Sequence, residues 1–501
     1  MKNEHALPET VENGLGRASA AFPLWAGWPI QKRKVFFKKL RALIVERQEE
    51  LAAILAEETG QPIAEAVSQE ITAALEMIRF MEKAYPRWLK GKRFRYWRPG
   101  FWTKSNRIGY EPLGLIAVIG PSNFPFSLPV MQACAALLCG NCVMIKPSER
   151  CPRTAEFLRP LFKDAGFPEG VIGVVDGDAK TAERIISAES VRKIIFTGSY
   201  ETGKAIAERC GRFFKPCLLE LGGTGAAVID DEADLDLAAR GIAWSAFYSA
   251  GLSCIGTKRV FVMPRTSRAF VQKLIEETRT IKTGNPADPN TDMGIMRDPA
   301  GMDRMEELVR DAVRKGATAW TPEGDFCDGS FQTLKGPTIL FPVTRRMSIL
   351  SPEIEIPGPL LCVQEVESMD QAVAEANRSK FGLGASVWSR DLRRAQNIAR
   401  RLQAGMVWIN DSSVGLPRFP WGGTKRSGWG RLFSKEAITE LTELKVVSRD
   451  RRLTSSRKFW WYPYSRTKYE MTLCLNEFLY GLRKRKAFLN FLKESLTLIF
   501  H

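Results

Sequence analysis

Two side chains within residues 217–256 are of types that can do covalent chemistry together. The stretch CLLELGGTGAAVIDDEADLDLAARGIAWSAFYSAGLSCIG carries Glu220 at one end and Cys254 at the other. An ionised thiol is a nucleophile, and a carboxylate can act as its base or activate a later water. Leu218 and Leu219 deliver Glu220 to the glycine turn at Gly222 and Gly223. Residues 226–229 then read as a buried strand, 234–250 as a helix with one apolar face, and 258–263 as the strand after Cys254. Both side chains also have plain readings. A free cysteine is commonly a small buried hydrophobe, and a glutamate a solvated surface charge.

Composition narrows the chemistry. The 501-residue chain can hold two or three domains, and its formal net charge is +17. Its only two histidines, His5 and His501, lie at the extreme ends. A Ser-His-Asp triad, a Cys-His dyad and a histidine-based metal site are therefore excluded from the body of the chain, and no metal is expected. A nucleophilic cysteine here needs a carboxylate, a helix N-terminus or a lysine to activate it. The ten cysteines are scattered among apolar residues, and the opening MKNEHALPET lacks the basic and apolar regions of a signal peptide. Free thiols and a cytoplasmic location are expected. Cys139 and Cys142 have redox-motif spacing but sit between an apolar helix and a strand, which reads as structural. No apolar run reaches the roughly 18 residues of a membrane span.

The elements that must position the reactive pair follow from periodicity. Residues 31–59 form one long amphipathic pattern stopped by Gly60, and residues 64–89 a second. Residues 87–107 carry eight basic residues, six aromatics and no acid. They suit a nucleic acid or a membrane surface, or an exposed hairpin with snorkelling side chains. Beyond Pro112, strands at 115–119, 143–145, 171–175 and 193–196 alternate with helices at 129–138, 154–165, 179–188 and from about 203. That alternation predicts a parallel α/β sheet covered on both faces, followed by a second α/β region from 226 to about 430. Short signatures stand at the carboxyl ends of these strands, where such sheets bind ligands. They are SNFP with Asn123, KPSE with Lys146 and Glu149, and FTGS with Gly198 and Ser199. Gly203 completes a GxxxxG turn suited to a pyrophosphate.

Taken in order, SNFP, KPSE, FTGS, ELGG, GLSC, EIPGP and PWGGTKRSGWGR resemble the aldehyde dehydrogenase superfamily over roughly residues 20–447. The resemblance implies an α/β fold of that family, NAD(P)-dependent and hydrolytic. It would comprise a Rossmann-like dinucleotide-binding domain (1–93 and 113–222), a catalytic α/β domain (223–430) and an oligomerisation arm (94–112 and 440–450). A homodimer or homotetramer is implied. Carried over by motif, Cys254 is the nucleophile, Glu220 the base for deacylation and Asn123 the oxyanion-hole side chain. Lys146 and Glu149 hold the adenosine ribose, Gly198, Ser199 and Gly203 the pyrophosphate turn, and Glu355 the nicotinamide ribose. Asn410 supports the active-site wall. Glu149 favours NAD, with NADP as the alternative, because a carboxylate repels a 2′-phosphate; the adjacent Arg150 softens that discrimination.

Departures from the family pattern are Leu252 for the usual Gln, Thr224 for Lys, Pro357 for Phe and Ser122 for Trp. Pro357 bears on how the nicotinamide ribose is placed. Ser122 removes bulk, which suits a wider or longer substrate. Residues 451–501 form a basic amphipathic extension with eleven basic and three acidic residues. It opens with Phe459-Trp-Trp-Tyr-Pro-Tyr464 and carries apolar faces at Met471, Leu475, Phe478, Leu482 and Phe488, Phe491, Leu492, Leu496, Ile499. Some superfamily members acting on fatty aldehydes carry membrane-binding C-terminal extensions. The expected reaction is therefore oxidation of a long apolar (fatty or polyene) aldehyde, with peripheral membrane contact. The alternatives are a small polar aldehyde such as a semialdehyde, a catalytically silent relative, and a tail packed on a neighbouring subunit. No nucleic-acid-binding module is recognisable, so no nucleic-acid partner is expected.

Overall fold

The computed structural model describes residues 10–95, 104–326, 336–450, 461–482 and 488–492. Five parallel strands form the first sheet: β1 (Leu115–Ile119), β2 (Cys142–Lys146), β3 (Ile172–Val174), β4 (Val191–Thr197) and β5 (Cys217–Glu220). Their order is β3-β2-β1-β4-β5, and Gly428–Trp429 adds a sixth strand antiparallel to β5. Every residue of β1 and β2 is buried, so these strands read as unbroken apolar runs rather than alternating ones. The order reverses between β1 and β4, and ligands bind such sheets outside the carboxyl ends at that reversal.

The second sheet has eight strands. Its neighbours β6 (Gly225–Ile229) and β7 (Thr257–Val262) run parallel. The segment from Glu220 at the end of β5 to Gly225 at the start of β6 joins the carboxyl edge of the first sheet to the amino edge of the second. Cys254, just ahead of β7, lies on that same amino edge. Helix α1 (Leu235–Phe247) crosses from β6 to β7 and is capped by Asp234, which accepts from the Leu237 N–H.

Several expected helices are subdivided. Residues 31–59 break at Lys34 and Arg47 into Ile30–Arg33, Val35–Glu46 and Gln48–Thr59. The break at Arg47 lets Leu40 and Ile44 on one side and Leu51 and Leu55 on the other all be fully buried. Gly60 ends the last piece at φ +77°, as a left-handed cap requires. The second long pattern begins with a wide π turn, Ala66–Thr72, before Ala73–Trp88. The helix expected to reach residue 250 stops at Phe247 and gives way to a tight turn, Tyr248–Gly251.

Contacts divide the described chain into two units, Met1–Lys90 with Tyr110–Leu444, and Gly91–Gly109 with Lys445–His501. Lys92–Phe94 pairs antiparallel with Lys104–Pro112, and Thr442–Asp450 is the third strand of that sheet. The aromatic tip of the basic hairpin lies outside the described residues, as do Phe459, Trp460, Leu496 and Ile499. In the C-terminal extension, helix Arg466–Tyr480 is capped by Ser465 and buries Met471. No helix among the described residues is long and apolar enough to cross a membrane. Cys139 and Cys142 are both buried, and burial pushes each thiol up to about 12, which makes them inert.

Candidate active site

The loops at the carboxyl ends of β1, β2, β4 and β5 wall a cleft of about 860 Å³. Asn123, Lys146, Glu149, Gly198, Ser199, Glu220, Cys254 and Glu355 all line it. Lys146 is buried at the end of β2, and its Nζ donates to Glu149 at 3.0 Å and to the Pro147 carbonyl. Burial works to raise the Glu149 carboxyl, but its own N–H, Lys146 and Arg150 outweigh that and hold it below the usual carboxylate range. Ser199 caps helix α2 (Tyr200–Arg212), accepting from the Thr202 N–H. The Gly198 N–H donates to the Glu220 carbonyl at 3.1 Å, tying this turn to the end of β5. Gly203 is buried inside α2, where a Cβ would lie 2.5 Å from Leu221 Cδ2, so glycine sets how closely helix and strand pack. A helix N-terminus beside a paired lysine and carboxylate fits a dinucleotide, its pyrophosphate on the helix and its ribose on Glu149.

A second cavity, of about 300 Å³, opens on the other side of the same pair. Cys254 and Glu220 line both cavities. The funnel's walls include Met77, Phe124, Met131, Trp244, Trp421 and Phe433. Trp244 stacks on Tyr248 with ring centroids 4.7 Å apart. Ser122 lines the polar cleft rather than this funnel. The room it leaves therefore lies on the side of the polar cleft.

Cys254 sits on a strained loop. Ser249, Ala250 and Gly251 all have left-handed backbones, at φ +55°, +51° and +68°. Only glycine adopts that region freely, and each other residue there costs about 1–2 kcal/mol. Four contacts hold the loop. Ser249 N–H donates to Glu65 at 2.8 Å, Asn123 Nδ2 to the Leu252 carbonyl at 2.9 Å, and Lys258 Nζ to the Gly251 carbonyl at 2.6 Å. The Tyr248 hydroxyl bonds Ser253 Oγ.

The electrostatics follow from burial. Neither carboxylate oxygen of Glu220 has a hydrogen-bond partner, and burial pushes its carboxyl well above the usual range, with Arg431 pulling the other way. Burial pushes the Cys254 thiol up to about 12, and Glu220 and Glu355 add to that. Burial also raises Glu355, opposed by the Gly223 N–H and Lys258. A Cβ on Gly222 would fall 2.0 Å from Glu355 Oε1, so that glycine admits the carboxylate to the cleft wall. Pro357 lies in the same wall. Asn410, at φ +54°, bonds the Ser389 backbone through both ends of its amide and lines neither cavity. The wall itself is held three residues on, where Ser413 bonds Ser245 and the Ile255 carbonyl.

Residues missed in the sequence form the support beneath these groups. Gln61 Nε2 donates to the Asn123 carbonyl at 2.6 Å. Glu65 and Glu70 flank and occupy the π turn; Glu65 holds Ser249, and Glu70 accepts from the Ser127 N–H at the start of helix Ser127–Leu138. Burial raises both carboxyls to about 7. Lys258 is buried, and burial lowers it to about 8. Two acids within the helical pattern PIAEAVSQE are the signal that could have found Glu65, which is half-buried, and Glu70, which is fully buried; an apolar stripe alone does not explain them.

The aldehyde dehydrogenase family signature matches residues 1–447. A succinate-semialdehyde dehydrogenase [NADP(+)] of Deinococcus radiodurans is 34% identical over 88% of this chain and 90% of its own length. A 4,4'-diapolycopene aldehyde oxidase of Methylomonas sp is 31% identical over 95% of this chain and 88% of its own. The crystal structure of an NAD-dependent aldehyde dehydrogenase from Sinorhizobium meliloti superposes with a TM-score of 0.83 at 32% identity, over 90% of this chain and 88% of that one. The chain therefore belongs to the aldehyde dehydrogenase family and is an NAD(P)-dependent dehydrogenase of that family.

With a thiol raised to about 12, the reactive thiolate of Cys254 is scarce at neutral pH. Labelling of Cys254 by iodoacetamide in the free enzyme should therefore accelerate steadily from pH 7 to pH 10. Glu220→Gln removes one of the two facing charges and should speed labelling at pH 9 by about three- to ten-fold, since one pKa unit is tenfold in thiolate. Mass spectrometry of the Cys254 peptide reads the rate. Equal or slower labelling in the variant would refute this electrostatic arrangement.

Proposed function

We propose that this enzyme oxidises a long apolar aldehyde to its carboxylic acid through a covalent intermediate on Cys254. The observation that carries it is the shared position of Cys254 and Glu220, which line both the polar cleft and the apolar funnel. The Cys254 thiolate attacks the aldehyde carbon. One Asn123 Nδ2 proton is engaged by the Leu252 carbonyl; the other, with a backbone N–H, stabilises the developing oxyanion. Preorganised donors of this kind are worth roughly 3–4 kcal/mol each. Lys146, Glu149, the Gly198–Ser199–Gly203 turn and Glu355 would hold NAD(P) in the cleft, where it would supply the hydride acceptor needed to convert the thiohemiacetal on Cys254 to a thioester. Glu220 then removes a proton from the water that hydrolyses the thioester. Its raised affinity for protons makes it a stronger base once ionised. Glu149, with its ion pair to Lys146, favours NAD over NADP.

The substrate class rests on the funnel. Among the described residues its lining contains no Lys, Arg or His, so nothing there neutralises the carboxylate of a semialdehyde. Apolar and aromatic walls suit an acyl or polyene chain. The C-terminal extension supports the same reading. The match to the diapolycopene aldehyde oxidase covers 95% of the chain, more than the 447-residue family segment, so it enters the extension. Trp461, Tyr462, Tyr464 and Leu482 are exposed there, and the region carries a large basic excess. Each basic residue near an anionic bilayer is worth about 1 kcal/mol. Peripheral contact with an acidic membrane would bring the enzyme to an apolar substrate. In the cytoplasm the enzyme would work as a homodimer or homotetramer. Exposed Leu444, Val446 and Val447 on the edge strand Thr442–Asp450 support pairing through this arm.

Cys254→Ser should abolish NADH production, by at least about 10³-fold, while NAD binding by fluorescence titration survives. Normal turnover in that variant rules the mechanism out. Wild type should show the higher kcat/KM with NAD than with NADP.

For the substrate, kcat/KM measured across aldehydes should rise with apolar chain length and be lowest for succinate semialdehyde and betaine aldehyde. Flotation with anionic vesicles should retain the full chain and release a chain ending at residue 450. Preference for short polar aldehydes, with no vesicle binding, defeats this reading.

A further inference from the structure

Lys258, the second residue of β7, buries an ammonium group where two loops of the cleft wall meet. Its Nζ donates to the Gly251 carbonyl at 2.6 Å and to the Gly358 carbonyl at 2.5 Å. Gly251 closes the left-handed turn that leads to Cys254, and Gly358 lies three residues beyond Glu355. Backbone lies directly on backbone at this junction. A Cβ on Gly251 would fall 2.2 Å from the Gly358 oxygen and 2.6 Å from the Pro359 nitrogen. Gly358 is itself left-handed at φ +61°, and a Cβ there would meet the Met296 sulfur at 2.8 Å and the Met305 sulfur at 3.0 Å. Neither glycine therefore admits a side chain, and the two loops have no slack between them. Gly223 joins them from a third side. A Cβ on it would lie 2.3 Å from the Cys254 carbonyl oxygen, while its N–H donates to the Glu355 carboxylate. Glu355 and Lys258 attract across the junction, each opposing what burial does to the other. Gly251, Lys258, Glu355 and Gly358 all line the cleft.

We propose that Lys258 is a positioning residue that locks the nucleophile turn to the Glu355 loop, so that ordering the loop around the cofactor's nicotinamide ribose also orders the turn that carries Cys254. One ammonium holds a carbonyl from each loop, and the loops cannot part without one carbonyl losing its donor. The turn has reason to part. Ser249 and Ala250 are held left-handed, a state that only glycine adopts freely. Lys258 acts here through two backbone carbonyls rather than on the substrate. Two loops tied by a shared donor respond together to whatever fixes either of them. A methionine at this position has a similar length and fills the same space, but it donates to neither carbonyl. The inference rests on the proposed contact of Glu355 with the ribose.

The test follows backbone hydrogen exchange by mass spectrometry in the full-length enzyme, with and without saturating NAD. In wild type NAD should slow exchange by about five-fold or more in two stretches, 355–361 and 245–250. Ser249 and Ala250 do not line the cleft, so protection of the second stretch reports the turn rather than cover by NAD. In Lys258→Met, protection should persist at 355–361 and vanish at 245–250. The KM for NAD should rise and kcat should fall in that variant, each by about five-fold or more. Should Lys258→Met not fold, Lys258→Gln, whose amide is too short to reach both carbonyls, takes its place. Protection at 355–361 alone in wild type overturns the proposal. So does a folded variant that keeps both stretches protected, or that is less stable to heat with KM and kcat intact. No protection at 355–361 in wild type that binds NAD would instead remove the Glu355 reading, and the proposal with it.

Discussion

Everything at the centre of this enzyme depends on bringing a half-buried thiol and a buried carboxylate to one seam. Cys254 and Glu220 occupy the seam where a polar cleft meets an apolar funnel. Desolvation is the largest cause of both raised values; the Glu220 and Glu355 charges raise Cys254 further, and Glu440 adds to Glu220 against Arg431. An unpaired ion buried this way costs several kcal/mol, so burial disfavours the charged form of each group.

That arrangement needs a rigid frame, and the frame is polar. The left-handed turn Ser249–Ala250–Gly251 would relax if left alone, but Glu65, Lys258 and Asn123 each hold one of its backbone groups or the next residue's. Gln61 and Glu70 hold the other wall, at Asn123 and at the helix behind it. One irregular stretch, from Gln61 to Glu70 around the π turn, therefore grips both sides of the catalytic seam. A regular α-helix would not aim Glu65 and Glu70 at two different loops while keeping Ala66 and Ile71 buried.

Much of this was legible in the sequence. The strands β1, β2 and β4 announce themselves as apolar runs because both faces of a parallel sheet are covered, and the chemistry-bearing loops follow directly at their ends. Nine residues read from motifs, from Asn123 to Glu355, lie in or immediately behind one cleft. The rest depends on contacts that no local pattern encodes. Gly428–Trp429 joins the first sheet from within the range expected for the second domain, because its partner β5 is about two hundred residues away in the chain. The helix after Asp234 looks continuous to residue 250, since the left-handed turn at Ser249 and Ala250 is held by contacts distant in sequence, such as the Ser249 N–H to Glu65. Ser122 was read as making room for a wider or longer substrate, and only the tertiary fold shows that this room lies on the polar cleft.

The most direct measurement is to trap the covalent intermediate. Glu220→Gln enzyme, mixed with aldehyde and NAD, quenched in acid and digested, should carry the substrate's acyl group on the Cys254 peptide at close to one equivalent. Wild type quenched in the same way should show far less, given the proposed role of Glu220 in clearing the thioester. An acyl adduct on any other residue, or none on Cys254 in a variant that still makes a burst of NADH, would contradict the assignment of nucleophile and base.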